Sequence, residues 1–215
     1  MTTFKAHWKN PNSWTGITIE DGHLGGTSTG GDPCSWYPEL WDHLIKLSQP
    51  KSFVDIGCGL GFPQLFFEAE GIETLGVEGS DLVLERHCLR EKTFKHDFTT
   101  GIPVLPKKYD LAWSCEFVEH VAPEHVDNII GTFDQYCGKI LAFTASWFPG
   151  GYHHVNVHEN DYWIEKVLAT KHFTYDEELT KVCRNLCPPE QHDRGKYSYF
   201  QHTGLVFWKK DAQHN

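Results

Sequence analysis

The stretch Ser52-Phe53-Val54-Asp55-Ile56-Gly57-Cys58-Gly59-Leu60-Gly61-Phe62 decides how the rest of this chain is read. Phe53, Val54 and Ile56 favour a strand, and the closely spaced glycines let the backbone turn sharply and leave room for a ligand against it. Pro63 to Glu70 then reads as a helix, with Pro63 tolerated in its first turn and its N-terminus directed at the pocket. The next apolar run, Thr74-Leu75-Gly76-Val77, ends in Glu78. That acid follows Gly57 by about 20 positions, which sets it at the tip of the neighbouring parallel strand, within reach of ribose hydroxyls. Together these features predict a nucleotide-sized pocket on an α/β sheet.

The glycine spacing separates two ligand classes. The dinucleotide pattern G-x-G-x-x-G needs glycine at position 62, where this chain has phenylalanine; its third glycine is Gly61. Asp55, two residues before the first glycine, would repel a pyrophosphate, whereas it would balance the amino end of a cationic, methionine-type ligand. A dehydrogenase therefore conflicts with both Phe62 and Asp55. In these features the chain resembles the class I S-adenosylmethionine-dependent methyltransferases. The resemblance continues through P-E-L-W-D at Pro38, H-D-F-T at His96, S-C-E-F-V-E-H-V at Ser114, G-G-Y-H-H-V-N at Gly150 and Y-W-I-E-K at Tyr162, and so covers roughly residues 30 to 175. It is similar to bacterial and phage-type members linked to glycan or small-molecule modification.

The resemblance implies S-adenosylmethionine as cofactor and a doubly wound, mostly parallel Rossmann-like sheet with helices on both faces. It places the donor against Asp55, Gly57, Cys58, Gly59, Glu78 and Gly79, the adenine amino group at Asp97 with Phe98 over the ring, and the methionine part at Ser114, Cys115 and Glu116. Tyr37 either closes over the methionine end or packs in the core, the commoner fate of a tyrosine. Glu119 and His120 either face the acceptor or cap the next helix and lock the loop, and the structural role is favoured for His120.

Composition bounds the partners. A chain of 215 residues suits one α/β domain with some embellishment. Its formal net charge of -10, with 19 basic residues, argues against the positive face that nucleic-acid backbones require. The first residues contain no apolar signal segment and no run of about 18 apolar residues occurs, so a soluble, cytoplasmic protein is expected. Seven cysteines, an odd number, do not form a secreted disulfide framework, and most are expected to be small buried hydrophobes. Cys183, Cys187, His192 and His202 can be drawn as a zinc site, but their spacing matches no common finger.

Along the chain, residues 1–34 read as a glycine-rich arm or lid and 35–215 as the methyltransferase domain. Ser35 is expected to cap a helix from Trp36 to Leu47 with Trp36, Leu40, Leu44 and Leu47 on one face. Gly79-Ser80 opens a helix from Asp81 to about Arg90. A strand at Tyr109 to Cys115, a helix at Pro123 to Tyr136 and a strand at Lys139 to Thr144 follow, and this alternation implies right-handed crossovers in a parallel sheet. Helices are expected at Glu159 to Thr170 and Asp176 to Leu186, a short strand at Lys171 to Tyr175, and an antiparallel last strand within Tyr197 to Lys209.

The segment Ser146 to His158 follows the fifth strand, at the sheet edge where ligands bind in open α/β folds. Three histidines, an amide and several aromatics there point to acceptor chemistry, since such polar groups are costly to bury idle. A neutral imidazole suits removal of a hydroxyl proton near neutral pH, so His153 or His154 is the expected base and Asn156 an orienting group. Adjacent residues of an extended segment point apart, so one of the two is expected to face the pocket. The acceptor class that follows is a small molecule or saccharide methylated on oxygen. Two alternatives keep the pocket. In one, a divalent ion held by some of Glu116, Glu119, His154 and His158 acidifies the acceptor, although the scarcity of oxygen ligands disfavours magnesium. In the other, the chain is a nucleoside-binding module without chemistry.

Overall fold

The computed structural model describes residues 22–24, 31–151, 153–187 and 198–212. Seven strands form one sheet: β1 (Ser52–Ile56), β2 (Glu73–Glu78), β3 (Thr93–Lys95), β4 (Tyr109–Ser114), β5 (Cys137–Phe143), β6 (Phe173–Tyr175) and β7 (Leu205–Lys209). Their spatial order is β3-β2-β1-β4-β5-β7-β6. The pairs of β1 with β2 and β4, of β2 with β3, and of β4 with β5 are parallel, while β7 runs antiparallel to both β5 and β6. The chain winds outward from β1 in one direction and then, from β4, in the other. A crevice therefore opens beyond the carboxyl ends of β1 and β4, the switch point where ligands bind in such sheets.

Among the described residues seven α-helices accompany the sheet: α1 (Pro38–Ser48), α2 (Phe62–Ala69), α3 (Asp81–Leu84), α4 (Val126–Tyr136), α5 (Asn160–Ala169), α6 (Glu177–Asn185) and α7 (Tyr199–Thr203). Strand alternation sorts the core into two halves. Val54, Ile56, Ala112 and Leu141 pack with Ile129 and Phe133 of α4 and Trp163 and Val167 of α5. Phe53, Leu111, Trp113 and Ile140 pack with Leu40, Trp41 and Leu44 of α1, Phe67 of α2 and Phe200 of α7. Two stacked pairs tie helices to strands: Phe53 on Phe67 at 3.8 Å between ring centroids, and Trp113 on Phe200 at 5.3 Å. No helix among the described residues is long and apolar enough to cross a membrane.

Three differences from the sequence reading have a clear physical reason. Helix α1 begins at Pro38, and Tyr37, not Ser35, precedes it in a non-helical conformation (φ -133°, ψ 64°), because a residue before proline is kept out of the α region. Its buried face is Leu40, Trp41 and Leu44, and Leu47 is exposed. Helix α3 stops at Leu84, capped at its start by Ser80, whose side chain accepts from the Val83 amide. Beyond it His87 turns inward, accepts from the Leu89 amide at 3.0 Å and lies 3.4 Å from the Cys58 sulfur, so its burial replaces further helix. The C-terminal segment first forms α7, capped by Ser198, before entering β7. Cys88 is exposed, while Cys58, Cys137, Cys183 and Cys187 are buried. His192 of the sequence-drawn zinc set lies outside the described residues, and the Cys187 thiol donates to the Cys183 carbonyl.

Candidate functional site

The glycine turn is built by β1 delivering its backbone to β2: the Gly57 and Cys58 amides both donate to the Val77 carbonyl, at 2.9 and 3.1 Å. Gly57 has φ +72°, and a Cβ there would lie 2.2 Å from the Phe117 ring, so no other residue fits without displacing that ring. Glu78, at the tip of β2, closes the turn from the side. Its Oε2 accepts from the Gly59 amide (3.0 Å) and its Oε1 from the amides of Gly79 and Ser80 (2.8 and 2.9 Å). These bonds hold the carboxylate at the cavity wall. Asp55 is 2 % exposed, and its Oδ2 has no hydrogen-bond partner among the described residues. Burial first, and the Glu78 carboxylate second, push the Asp55 carboxyl well above its usual range.

A cavity of about 1150 Å³ runs from this turn across the switch point. Asp55, Gly57, Cys58, Gly59, Glu78, Gly79, Asp97, Phe98, Cys115 and Glu116 line it. Tyr37 and Ser114 do not. Tyr37 is fully buried in the core, where its hydroxyl donates to the Cys34 carbonyl and accepts from the Phe200 amide. The Ser114 hydroxyl, also fully buried, is committed to the Ile56 carbonyl at 2.7 Å. Asp97 caps the short turn Phe98–Thr100, accepting from the Thr99 amide and hydroxyl, and its Oδ2 accepts from His23 Nε2 at 2.7 Å. His23 belongs to the expected arm, of which residues 1–21 and 25–30 lie outside the described ones.

The opposite wall comes from the loops after β4 and β5. Glu116 follows β4 with φ +48°, a left-handed conformation uncommon outside glycine, and its amide donates to Thr144 Oγ1 at 2.8 Å. The turn Val118–His120 is stapled to the second loop, because the Val155 and Asn156 amides both donate to the Glu119 carbonyl at 3.0 Å. His120, His153 and His154 all line the cavity, together with Trp147 and Phe148, which are 47 % and 56 % exposed at its rim. The expectation that only one of His153 and His154 faces the pocket is thus corrected. His153 has φ +56°, which breaks the extended alternation and brings both neighbours to the same side. His120 Nδ1 donates to the His153 carbonyl (3.1 Å), and its ring lies 4.9 Å from that of His154. Burial and the neighbouring imidazoles hold the His120 pKa down to about 4, so the ring is neutral at pH 7.

Glu119 is fully buried behind this wall, and neither of its carboxyl oxygens has a hydrogen-bond partner among the described residues. Burial, then the charge of Glu116, raises its pKa well above the usual range; burial likewise pushes Glu116 up to about 7. Asn156 is 2 % exposed with both amide atoms unpartnered among the described residues, and it is not on the cavity wall. His158 stacks on Tyr162 at 3.7 Å instead of joining the histidines. Two of the wall residues that carried no sequence signal are bonded to each other. Asp32 and Tyr199 both line the cavity, joined by a 2.7 Å hydrogen bond from the Tyr199 hydroxyl, although 167 positions separate them.

No protein-family model and no curated protein sequence matches the chain. Solved structures do resemble it. An S-adenosylmethionine-dependent methyltransferase from Clostridium acetobutylicum superposes with a TM-score of 0.56 at 10 % identity, covering 80 % of this chain and 90 % of that one. The plantazolicin methyltransferase BpumL in complex with SAH gives 0.54 at 12 % identity over 80 % and 82 %. The [4+2]-cyclase SpnF gives 0.54 at 18 % identity over 80 % of each chain, so one fold carries more than one chemistry among these neighbours. Strand order, the single reversed strand and these superpositions together show that this chain has the class I methyltransferase fold.

Proposed function

We propose that the chain transfers a methyl group from S-adenosylmethionine to an oxygen of a small polar acceptor such as a saccharide. The observation that carries this reading is the continuity of one cavity from the carboxylate-flanked glycine turn to the histidine wall. At about 1150 Å³ it exceeds the roughly 300–1,000 Å³ usual for one drug-sized ligand, which supports a site for donor and acceptor together. The complex of BpumL with SAH and the activity named for the Clostridium protein support the same choice of donor over a nicotinamide.

The residues fit such a donor. Asp55 offers an unpartnered buried oxygen beside a second acid, an arrangement that a bound ammonium would neutralise. Glu78, fixed by three backbone amides, would hold the ribose hydroxyls; Gly57, Cys58, Gly59 and Gly79 would give backbone surface; Asp97 and Phe98 would serve the adenine; Cys115 and Glu116 would border the methionine portion. When bound, S-adenosylmethionine supplies a methyl carbon on sulfonium sulfur: the acceptor oxygen forms the C–O bond, the C–S bond breaks with its electron pair left on sulfur, and the hydroxyl proton goes to an imidazole. His153 and His154 border the acceptor end, and one of the two takes this proton. Their loop, held to the Glu119 carbonyl, fixes the imidazoles before the acceptor arrives, the preorganisation that a proton transfer requires.

The test is incubation of candidate acceptors with donor labelled in its methyl group, followed by mass spectrometry. Label is expected in an O-methyl product, and at least one of His153→Ala and His154→Ala is expected to abolish turnover while SAH affinity stays nearly unchanged. Wild-type turnover in both variants would overturn the histidine assignment, and binding of a nicotinamide in place of SAH would overturn the donor.

A further inference from the structure

We propose that Glu119, His120 and His154 form a binding site for one divalent transition-metal cation at the acceptor end of the cavity. The inference rests on the methyl-transfer reading only for its consequence, not for the site itself. One ligand atom from each of these three residues lies within 4.8 Å of the others.

The hydrogen bonds around the two imidazoles sharpen the case. A carbonyl oxygen only accepts, so the ring nitrogen facing it must carry the proton. His120 Nδ1 faces the His153 carbonyl at 3.1 Å and His154 Nδ1 faces the Phe148 carbonyl at 2.6 Å. In the neutral rings both Nε2 atoms therefore bear a lone pair. A backbone carbonyl on the distal N–H is the arrangement that orients metal-ligating histidines and raises their basicity. The third group independently calls for a cation. Glu119 is fully buried with the Ser146 amide and the Glu116 carboxyl near it, and neither of its oxygens reaches a described residue in good hydrogen-bond geometry. A buried carboxyl left unpaired is costly, and coordination is one of the few ways to satisfy it.

Two imidazoles and one carboxylate leave coordination positions open, the composition of catalytic sites and not of closed structural ones. Nitrogen ligands favour manganese, iron, cobalt or zinc over magnesium and calcium, which take oxygen sets. Glu116, whose Oε1 is also unpartnered among the described residues, is outside the set. His158, stacked on Tyr162, is not in the set. The consequence is chemical: a hydroxyl coordinated at an open position loses its proton more readily, with His154 serving as ligand and His153 as proton acceptor. That favours an acceptor presenting an alcohol over one presenting an amine.

The experiment uses the full chain, stripped with EDTA and dialysed. Cobalt(II) is titrated by calorimetry and visible absorption, and manganese(II) by electron paramagnetic resonance. One equivalent is expected to bind. Affinity is expected to fall by at least roughly tenfold in Glu119→Gln, His120→Ala and His154→Ala. His172→Ala, a change at an exposed imidazole bonded to Asp134, should keep wild-type binding. Gly151→Ala gives a variant with all three ligands in place, since its Cβ would lie 2.1 Å from His154 Cε1 and displace the ring; it too should bind weakly. Circular dichroism checks that each variant folds. Absence of a one-equivalent site, or its persistence in the three ligand variants, overturns the cation site. Full-rate methyl transfer by metal-free protein would overturn the cation's role in acidifying the acceptor while leaving the methyl-transfer reading intact. One-equivalent binding lost in those variants, with no donor binding, would uphold the site and remove the methyl-transfer reading.

Discussion

Asp55→Asn exchanges a carboxylate for an amide of nearly equal size at a donor-side position where a buried oxygen lacks a partner among the described residues. Two effects of opposite sign follow. With donor absent, the carboxyl is raised by burial and by Glu78, so its ionisation weakens the fold. For an acid raised in the folded state, stability is complete below the unfolded pKa and is lost as pH climbs toward the folded value. Asp55→Asn should therefore melt higher than wild type at pH 7 to 8, and the gap should close below the unfolded pKa of about 4. With donor present, the variant loses a charge-assisted hydrogen bond to the ligand's ammonium, a contribution of roughly 1.5–3 kcal/mol, or roughly ten- to 150-fold in affinity. Calorimetry with SAH isolates this contribution, because SAH keeps the ammonium and lacks the sulfonium charge. SAH affinity within twofold of wild type, or a lower melting temperature than wild type at pH 8, would refute the pairing of Asp55 with the ammonium.

Gly57→Ala combines left-handed backbone strain with a collision at Phe117 and should destabilise by roughly 2–4 kcal/mol in urea unfolding. Gly59→Ala, where a Cβ meets nothing within 4 Å, bears only the backbone strain and should lose about 1 kcal/mol; equal losses would contradict the geometry. Burial, opposed by Glu91 and the Leu89 amide, holds the His87 pKa down to about 4, so its stabilising contribution is present above about 6.5 and lost as pH falls to 4. Wild type should lose up to about 3 kcal/mol over that interval that His87→Gln retains, measured as the difference in denaturant midpoints.

The residues themselves dictate much of this protein. Glycine at 57 and 59, apolar Val54 and Ile56, and the acid at Glu78 specify a strand, a turn and a neighbouring strand tip through local sterics and short loops, so fold class and the carboxylate-flanked turn were legible without coordinates. Helix α4 and strands β4 and β5 follow from the same short-range patterns. What periodicity does not contain is the path of the chain through space. Tyr37 and Ser114 sit at positions that motif reasoning gives to the donor, yet packing against Phe200 and bonding to Ile56 take them into the core. His87 ends α3 because its ring is worth more buried beside Cys58 than on a helix surface. The joining of Asp32 to Tyr199, and of Glu119 to the His153–His154 loop, depends on strands meeting across the switch point, since contacts over such separations arise only when the whole sheet has closed. Local sequence chose the chemistry available; the sheet's order brought Glu119, His120 and His154 into one corner.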